Sequence, residues 1–188
     1  KGRYFIMGRL EGKVAIVTGS NSGVGAATAK LFAKEGAKVV ISARRLPQLE
    51  EVAEQIKADG GEVLIVQTDV SKKEDCENLV AKTVETFGKV DVLVNNAGLA
   101  VGLNPIQEGI IDDWERMIDT NIKGLLYMTR EVAPLMCERG KGHIINICST
   151  AGKEVYPNGN VYCATKHAVD AISKGMRIDM LKYGIKVT

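Results

Sequence analysis

The 188-residue sequence predicts an α/β fold: a doubly wound parallel sheet with helices on both faces, within a single domain. Three observations carry that expectation. Short runs rich in β-branched residues alternate with helix-like segments along the whole chain. The runs are almost continuously apolar, as strands covered on both faces must be, and buried strands joined through helices run parallel. No linker, repeat or low-complexity stretch breaks the alternation.

The first run, Val14–Thr18, leads straight into Thr18-Gly19-Ser20-Asn21-Ser22-Gly23-Val24-Gly25. A helical pattern follows, with Val24, Ala27, Leu31 and Phe32 at spacings of three and four. Glycines in such a turn let the chain bend tightly and bring main-chain N–H groups against a pyrophosphate, which the helix N-terminus also attracts. The spacing is not GxGxxG, and as a bare string it fits any tight loop; its place between strand and helix is what favours phosphate. The second run, Val39–Ser42, ends in Ala43-Arg44-Arg45. NAD-binding sheets of this kind place a carboxylate there for the ribose 2′-OH. Two arginines instead suit a 2′-phosphate, so NADP(H) is expected over NAD(H).

The third run, Val63–Gln67, precedes Asp69-Val70, and a helix pattern follows through Leu79, Val80, Val84 and Phe87. The fourth, Val90–Asn95, runs into Asn95-Asn96-Ala97-Gly98. The fifth, Ile144–Cys148, is closed by Ser149, and a sixth begins at Ile185. Open parallel sheets bind ligands beyond the carboxyl ends of their strands. Every strand end here carries residues capable of chemistry.

The strongest signal is Tyr162-Cys163-Ala164-Thr165-Lys166, whose Tyr and Lys are four apart and share one helical face. A phenol is ordinarily a poor base at neutral pH, and a neighbouring ammonium favours its ionised form. The same hydroxyl can hand a proton to an alkoxide forming from a carbonyl. Ser149 offers a hydroxyl to that oxygen, and Asn121 lies in the helical stretch after the fourth strand. Any one of these residues alone reads more readily as structural; the four occur together, in order.

Composition excludes other classes. The chain is 45% hydrophobic and 26% charged, with a net charge of +2 and no cationic cluster denser than Arg44-Arg45 and Lys72-Lys73, which argues against nucleic acid as partner. No apolar run approaches the roughly 20 residues of a membrane span, and no secretory signal is evident. Cys76, Cys137, Cys148 and Cys163 form no CxxC pair and no metal-ligand spacing with His143 and His167, so no metal is expected and the thiols read as reduced, in a cytoplasmic protein.

The string TGxxxGxG, the NNAG after the fourth strand and the order Asn, Ser, Tyr, Lys together resemble the short-chain dehydrogenase/reductase family, from about Leu10 to Thr188. That resemblance implies a Rossmann-type sheet and a nicotinamide-dependent oxidoreductase interconverting a secondary alcohol and a carbonyl. It implies catalytic roles for Asn121, Ser149, Tyr162 and Lys166. It implies cofactor contacts from Gly19, Ser20, Asn21, Ser22, Gly23, Val24, Gly25, Arg44, Arg45, Asp69, Val70, Asn96, Ala97 and Gly98, with Tyr162 and Lys166 shared. A homotetramer built on long helices around 121–139 and 162–182 is implied as well. The stretches 95–103, 113–130 and 142–166 resemble bacterial NADP-dependent 3-hydroxy acid dehydrogenases, which act on serine-like hydroxy acids and reduce malonic semialdehyde. Lys153 would then be a candidate partner for a substrate carboxylate. The 3-oxoacyl carrier-protein reductases, the hydroxysteroid dehydrogenases and a non-catalytic dinucleotide-binding regulator remain alternatives. Residues 1–9 read as an N-terminal extension or tag and 10–188 as the domain. Family members continue beyond the sixth strand, so the sequence reads as part of a longer protein.

Overall fold

A computed structural model describes residues 8–188; residues 1–7, most of the expected N-terminal extension, lie outside them. Six parallel strands form one sheet in the order β3-β2-β1-β4-β5-β6. They are β1 (Val14–Thr18), β2 (Lys38–Ala43), β3 (Glu62–Gln67), β4 (Val92–Asn95), β5 (Gly142–Asn146) and β6 (Ile185–Val187). The order reverses between β1 and β4, which pair through Ala15–Val92, Ile16–Leu93 and Val17–Val94. Sheets wound this way open a crevice at such a reversal.

Side chains alternate across the sheet and feed two cores. Ile16, Val40, Leu93 and Ile144 face α3 (Lys73–Phe87), α5 (Leu125–Arg139) and α6 (Asn160–Met180), against Leu79, Met128, Val132, Met136, Val169 and Met176. Val17, Val39, Ile41 and Val94 face α1 (Gly23–Lys34) and α2 (Leu46–Ala58), against Ala29, Ala33, Leu49, Val52 and Ile56. Burying each of the larger aliphatic side chains contributes about 1.5–3 kcal/mol before chain entropy is set against it.

The structure departs from the sequence pattern in three places. Most of the stripe expected on α1 faces outward: Val24 and Leu31 are 63% and 51% exposed, Phe32 packs partly on the core, and Gly25, Ala26, Ala29 and Ala33 are buried instead. Small residues let this helix approach the sheet closely, which the glycine turn before it requires. The fifth strand ends at Asn146, so Ser149 stands three residues beyond it, capping a short 3₁₀ turn (Thr150–Gly152). The helix expected from Asn121 starts at Leu125; before it, α4 (Ile111–Ile118) widens into a π-helical turn, Asp119–Gly124.

At the opposite end of the sheet from the glycine turn, Asp91 is nearly buried. It accepts from Arg139 Nη2 at 2.6 Å, Lys89 Nζ at 2.9 Å and the Val14 amide at 2.9 Å. Burial alone pushes the carboxyl upward, but those donors outweigh it and hold the pKa at about 2. A depressed carboxylate pKa stabilises the fold above the ordinary carboxylate range, and the contribution fades as pH falls toward 2. Asp91→Asn is therefore expected to cost about 3 kcal/mol at pH 7, seen as a melting point lower by roughly 6–12 °C. The gap from the parent should narrow in melts at pH 3; an unchanged gap would show that charge is not what Asp91 supplies.

Candidate active site

The β1–α1 turn exists because its glycines tolerate what other residues do not. Gly19 has φ +64°, and a Cβ there would lie 2.8 Å from the Cα of Ala97. A Cβ on Gly25 would meet the Gly19 carbonyl oxygen at 2.4 Å. The turn is fastened to the end of β4 by Asn96, whose Nδ2 donates to the carbonyls of Thr18 (2.9 Å) and Gly19 (3.1 Å). Thr18 Oγ1 in return accepts from the amides of Asn96 and Ala97 at 3.1 and 3.0 Å. Asn95 points the other way, donating to Asn146 Oδ1 at 3.0 Å and Thr129 Oγ1 at 3.2 Å. The NNAG string thus ties β4 to β5 and α5 with one asparagine and to the glycine turn with the next.

A cavity of about 400 Å³ opens at this point, lined by Gly19, Asn21, Ser22, Val24, Arg44, Arg45, Asp69, Val70, Asn96, Ala97 and Gly98, all expected from sequence. Ala43, Thr68, Leu99 and Thr120 also line it and were not expected; their signal was position, since each sits at or just beyond a strand end or in the π turn. Ser20, Gly23 and Gly25 do not line it. Ser20 is fully buried, donating to the Val17 carbonyl at 2.8 Å and accepting from the Ser42 amide at 2.9 Å, so its hydroxyl braces β1 against β2. Gly25 is held against Gly19, and Gly23, at φ +53°, opens the helix.

Two of the four candidate catalytic residues, Asn121 and Lys166, stand beside Gly98, whose absent side chain leaves room: a Cβ there would stand 3.3 Å from Asn121 Oδ1 and 3.6 Å from Lys166 Nζ. Asn121 is buried in the π turn. Its Oδ1 accepts from the Leu99 amide at 2.8 Å, and its Nδ2 donates to the Leu99 carbonyl at 2.8 Å and to Thr165 Oγ1 at 3.1 Å. Thr165 donates onward to the Tyr162 carbonyl at 2.7 Å, locking the first turn of α6 to the π turn. Lys166 is 7% exposed and its Nζ donates to the Ile147 carbonyl at 3.0 Å. Burial pushes its pKa down. Its Nζ lies 6.0 Å from the centre of the Tyr162 ring. Ser149 Oγ accepts from the Ala151 amide at 3.1 Å, and its turn packs on α6 closely enough that a Cβ on Gly152 would meet the Lys166 carbonyl oxygen at 2.8 Å.

Other expected roles fare differently. Lys153 Nζ is engaged by Asp170 Oδ1 at 2.8 Å, and Asp170 also accepts from Lys174 at 2.7 Å. These two lysines hold the Asp170 carboxyl at about 2. An ammonium already paired in this way is a poor partner for a substrate carboxylate. His143 meets Thr188 Oγ1 at 2.9 Å, and His167 meets the carbonyl of Cys163 at 2.9 Å within its own helix. Among the described residues no cluster of three or more His, Cys, Asp or Glu could hold a metal ion, and no helix is long and apolar enough to cross a membrane.

Comparison with known proteins places this architecture. The short chain dehydrogenase family model matches residues 13–188. An uncharacterized oxidoreductase of Staphylococcus aureus (strain MRSA252) is 43% identical over 179 residues, 95% of this chain and 76% of that protein. A solved serine dehydrogenase, in closed form with NADP+, is 42% identical with a TM-score of 0.87, covering 93% of this chain and 69% of that one. An NAD+-bound xylitol dehydrogenase superposes with a TM-score of 0.92 at 31% identity, covering 95% and 69%. The chain belongs to the short-chain dehydrogenase family and is an oxidoreductase of that type.

Proposed function

We propose that the protein is an NADP(H)-dependent oxidoreductase that interconverts a secondary alcohol and a carbonyl, with a small 3-hydroxy acid as substrate. Arg44 and Arg45 carry the cofactor reading, since both line the cavity that begins at the glycine turn. Relatives of this fold hold NADP+ in one structure and NAD+ in another, so local residues make the choice. The cavity suits a dinucleotide: glycines admit a pyrophosphate against main-chain N–H groups at the start of α1, and two arginines in the same cavity suit a 2′-phosphate. Such a cofactor supplies hydride transfer when bound. Tyr162 passes its hydroxyl proton to the substrate oxygen, or takes one from it in the reverse direction. Ser149 donates to the same oxygen and orients it. Lys166, buried with its Nζ donating to the Ile147 carbonyl, would bind the cofactor ribose. Asn121 holds the π turn in place through its bonds to Leu99 and Thr165. The substrate class is supported by 42% identity to a serine dehydrogenase.

The test is NADPH and NADH consumption, side by side, against a 3-oxo acid semialdehyde, a 3-oxoacyl thioester and a ketosteroid. Preferred turnover of NADPH with the semialdehyde is expected. A better thioester or steroid would replace the substrate reading, and tight NADPH binding without turnover would favour a regulator. A homotetramer is also proposed, supported by an apolar groove of about 780 Å³ between α5 and α6 that includes Leu126, Ala133, Pro134, Ile172 and Met176. A monomeric mass by light scattering would remove it. Four cysteines, all unpaired, support a reducing, cytoplasmic setting.

A further inference from the structure

We infer that Asn21 sets the strength of the NADP(H) preference by holding the Arg45 guanidinium in position before a phosphate arrives; this rests on the cofactor reading above. Asn21 lies in the β1–α1 turn and Arg45 at the start of α2, and both line the same cavity. With its amide oxygen toward Arg45, Asn21 accepts from Nη2 at 2.8 Å and from Nε at 3.2 Å. These two donors form one edge of the guanidinium. Arginine carries five N–H donors in a planar fork, so both hydrogens of Nη1 and the second of Nη2 stay free. That remaining end-on fork matches two oxygens of a phosphate.

The chemistry of the partner matters. An exposed arginine ordinarily loses side-chain freedom on binding a ligand, and here that ordering is completed in the free protein. A carboxylate at position 21 would order Arg45 equally well but would cancel its charge and repel a phosphate; an amide orders the side chain and leaves the charge intact. The base from which Arg45 extends is fixed too, because Gln67 Nε2 donates to the Arg44 carbonyl at 2.8 Å. Asn21 is therefore a positioning residue that acts through Arg45.

The experiment measures dissociation constants for NADP+ and NAD+ by titration calorimetry on the full-length protein and on Asn21→Ala, Asn21→Asp, Arg44→Ala, Arg45→Ala and the Asn21→Ala/Arg45→Ala double variant. Asn21 is not at positive φ, so alanine suits the backbone. Asn21→Ala is expected to weaken NADP+ by about 3- to 10-fold, to leave NAD+ within about 2-fold, and to have no further effect once Arg45 is gone. Asn21→Asp should weaken NADP+ more than alanine does, again sparing NAD+. An equal loss for both dinucleotides, or an undiminished loss in the Arg45→Ala background, would overturn the inference and make Asn21 a direct contact or a turn support. If Arg44→Ala abolishes the NADP+ preference and Arg45→Ala does not, the cofactor reading stands and the role of Asn21 falls. If neither arginine matters, the cofactor reading falls first and takes this inference with it.

Discussion

Tyr162→Phe is expected to lower kcat by about 10²–10⁴-fold, the range that a positioned general acid or base contributes. The substitution removes one oxygen. The tie that seats the first turn of α6 runs from Asn121 through Thr165 to the Tyr162 carbonyl, not to its phenol, so the helix keeps its position. NADPH affinity should accordingly stay within about 2-fold, and the loss should fall on kcat and kcat/KM alike, as for a group acting only in the transition state. Single-turnover kinetics with saturating NADPH would show it. Near-normal turnover with intact cofactor binding would remove Tyr162 from the chemistry and leave Ser149 or a water as the proton donor.

The second large effect is on cofactor choice. Replacing Arg44 and Arg45 together by alanine should lower kcat/KM for NADPH by about 100-fold and change that for NADH by less than about 3-fold. Hydrogen bonds to charged groups contribute about 1.5–3 kcal/mol each, and the lower end applies because both arginines are exposed to solvent. For the same reason the preference of the parent protein should shrink as salt rises, since screened charges discriminate less. A double variant that still prefers NADPH would move the phosphate site elsewhere along the cavity.

Much of this was legible in sequence. The strands announced themselves because sheets buried on both faces need continuous apolar runs, and five of the six strands were placed within two residues at each end. The glycine turn, NNAG and Tyr162–Lys166 were legible because each is a local solution to a backbone or spacing problem. The buried face of α1 was not: apolar periodicity weighs Val24 and Leu31 above alanines, whereas close approach to the sheet selects Ala26, Ala29 and Ala33. The role of the Ser20 hydroxyl was not legible, because a hydroxyl in a phosphate turn looks like a ligand contact until its partners, on β1 and β2, are seen. Lys153 had no visible partner in sequence, since Asp170 lies 17 positions away on α6. Asn21 and Arg45, 24 positions apart, meet only once β1 and β2 are paired.

The wide turn at Asp119–Gly124 has a consequence for the helix beyond it. Backbone torsions on both sides are right-handed helical, so α4, the π turn and α5 form one unbroken spiral into which an extra residue has been inserted. Each residue advances an α-helix by about 100°. The wide turn takes up that advance, so Met128, Val132 and Met136 stay buried while Met117, upstream, keeps its own inward setting. Tightening the turn to a regular helix with every residue kept would rotate the whole of α5 by about 100° out of step with its core, whereas deleting one residue between Thr120 and Lys123 would leave α5 in step. The segment that presents Asn121 to the active site also sets the angular register of the helix that follows.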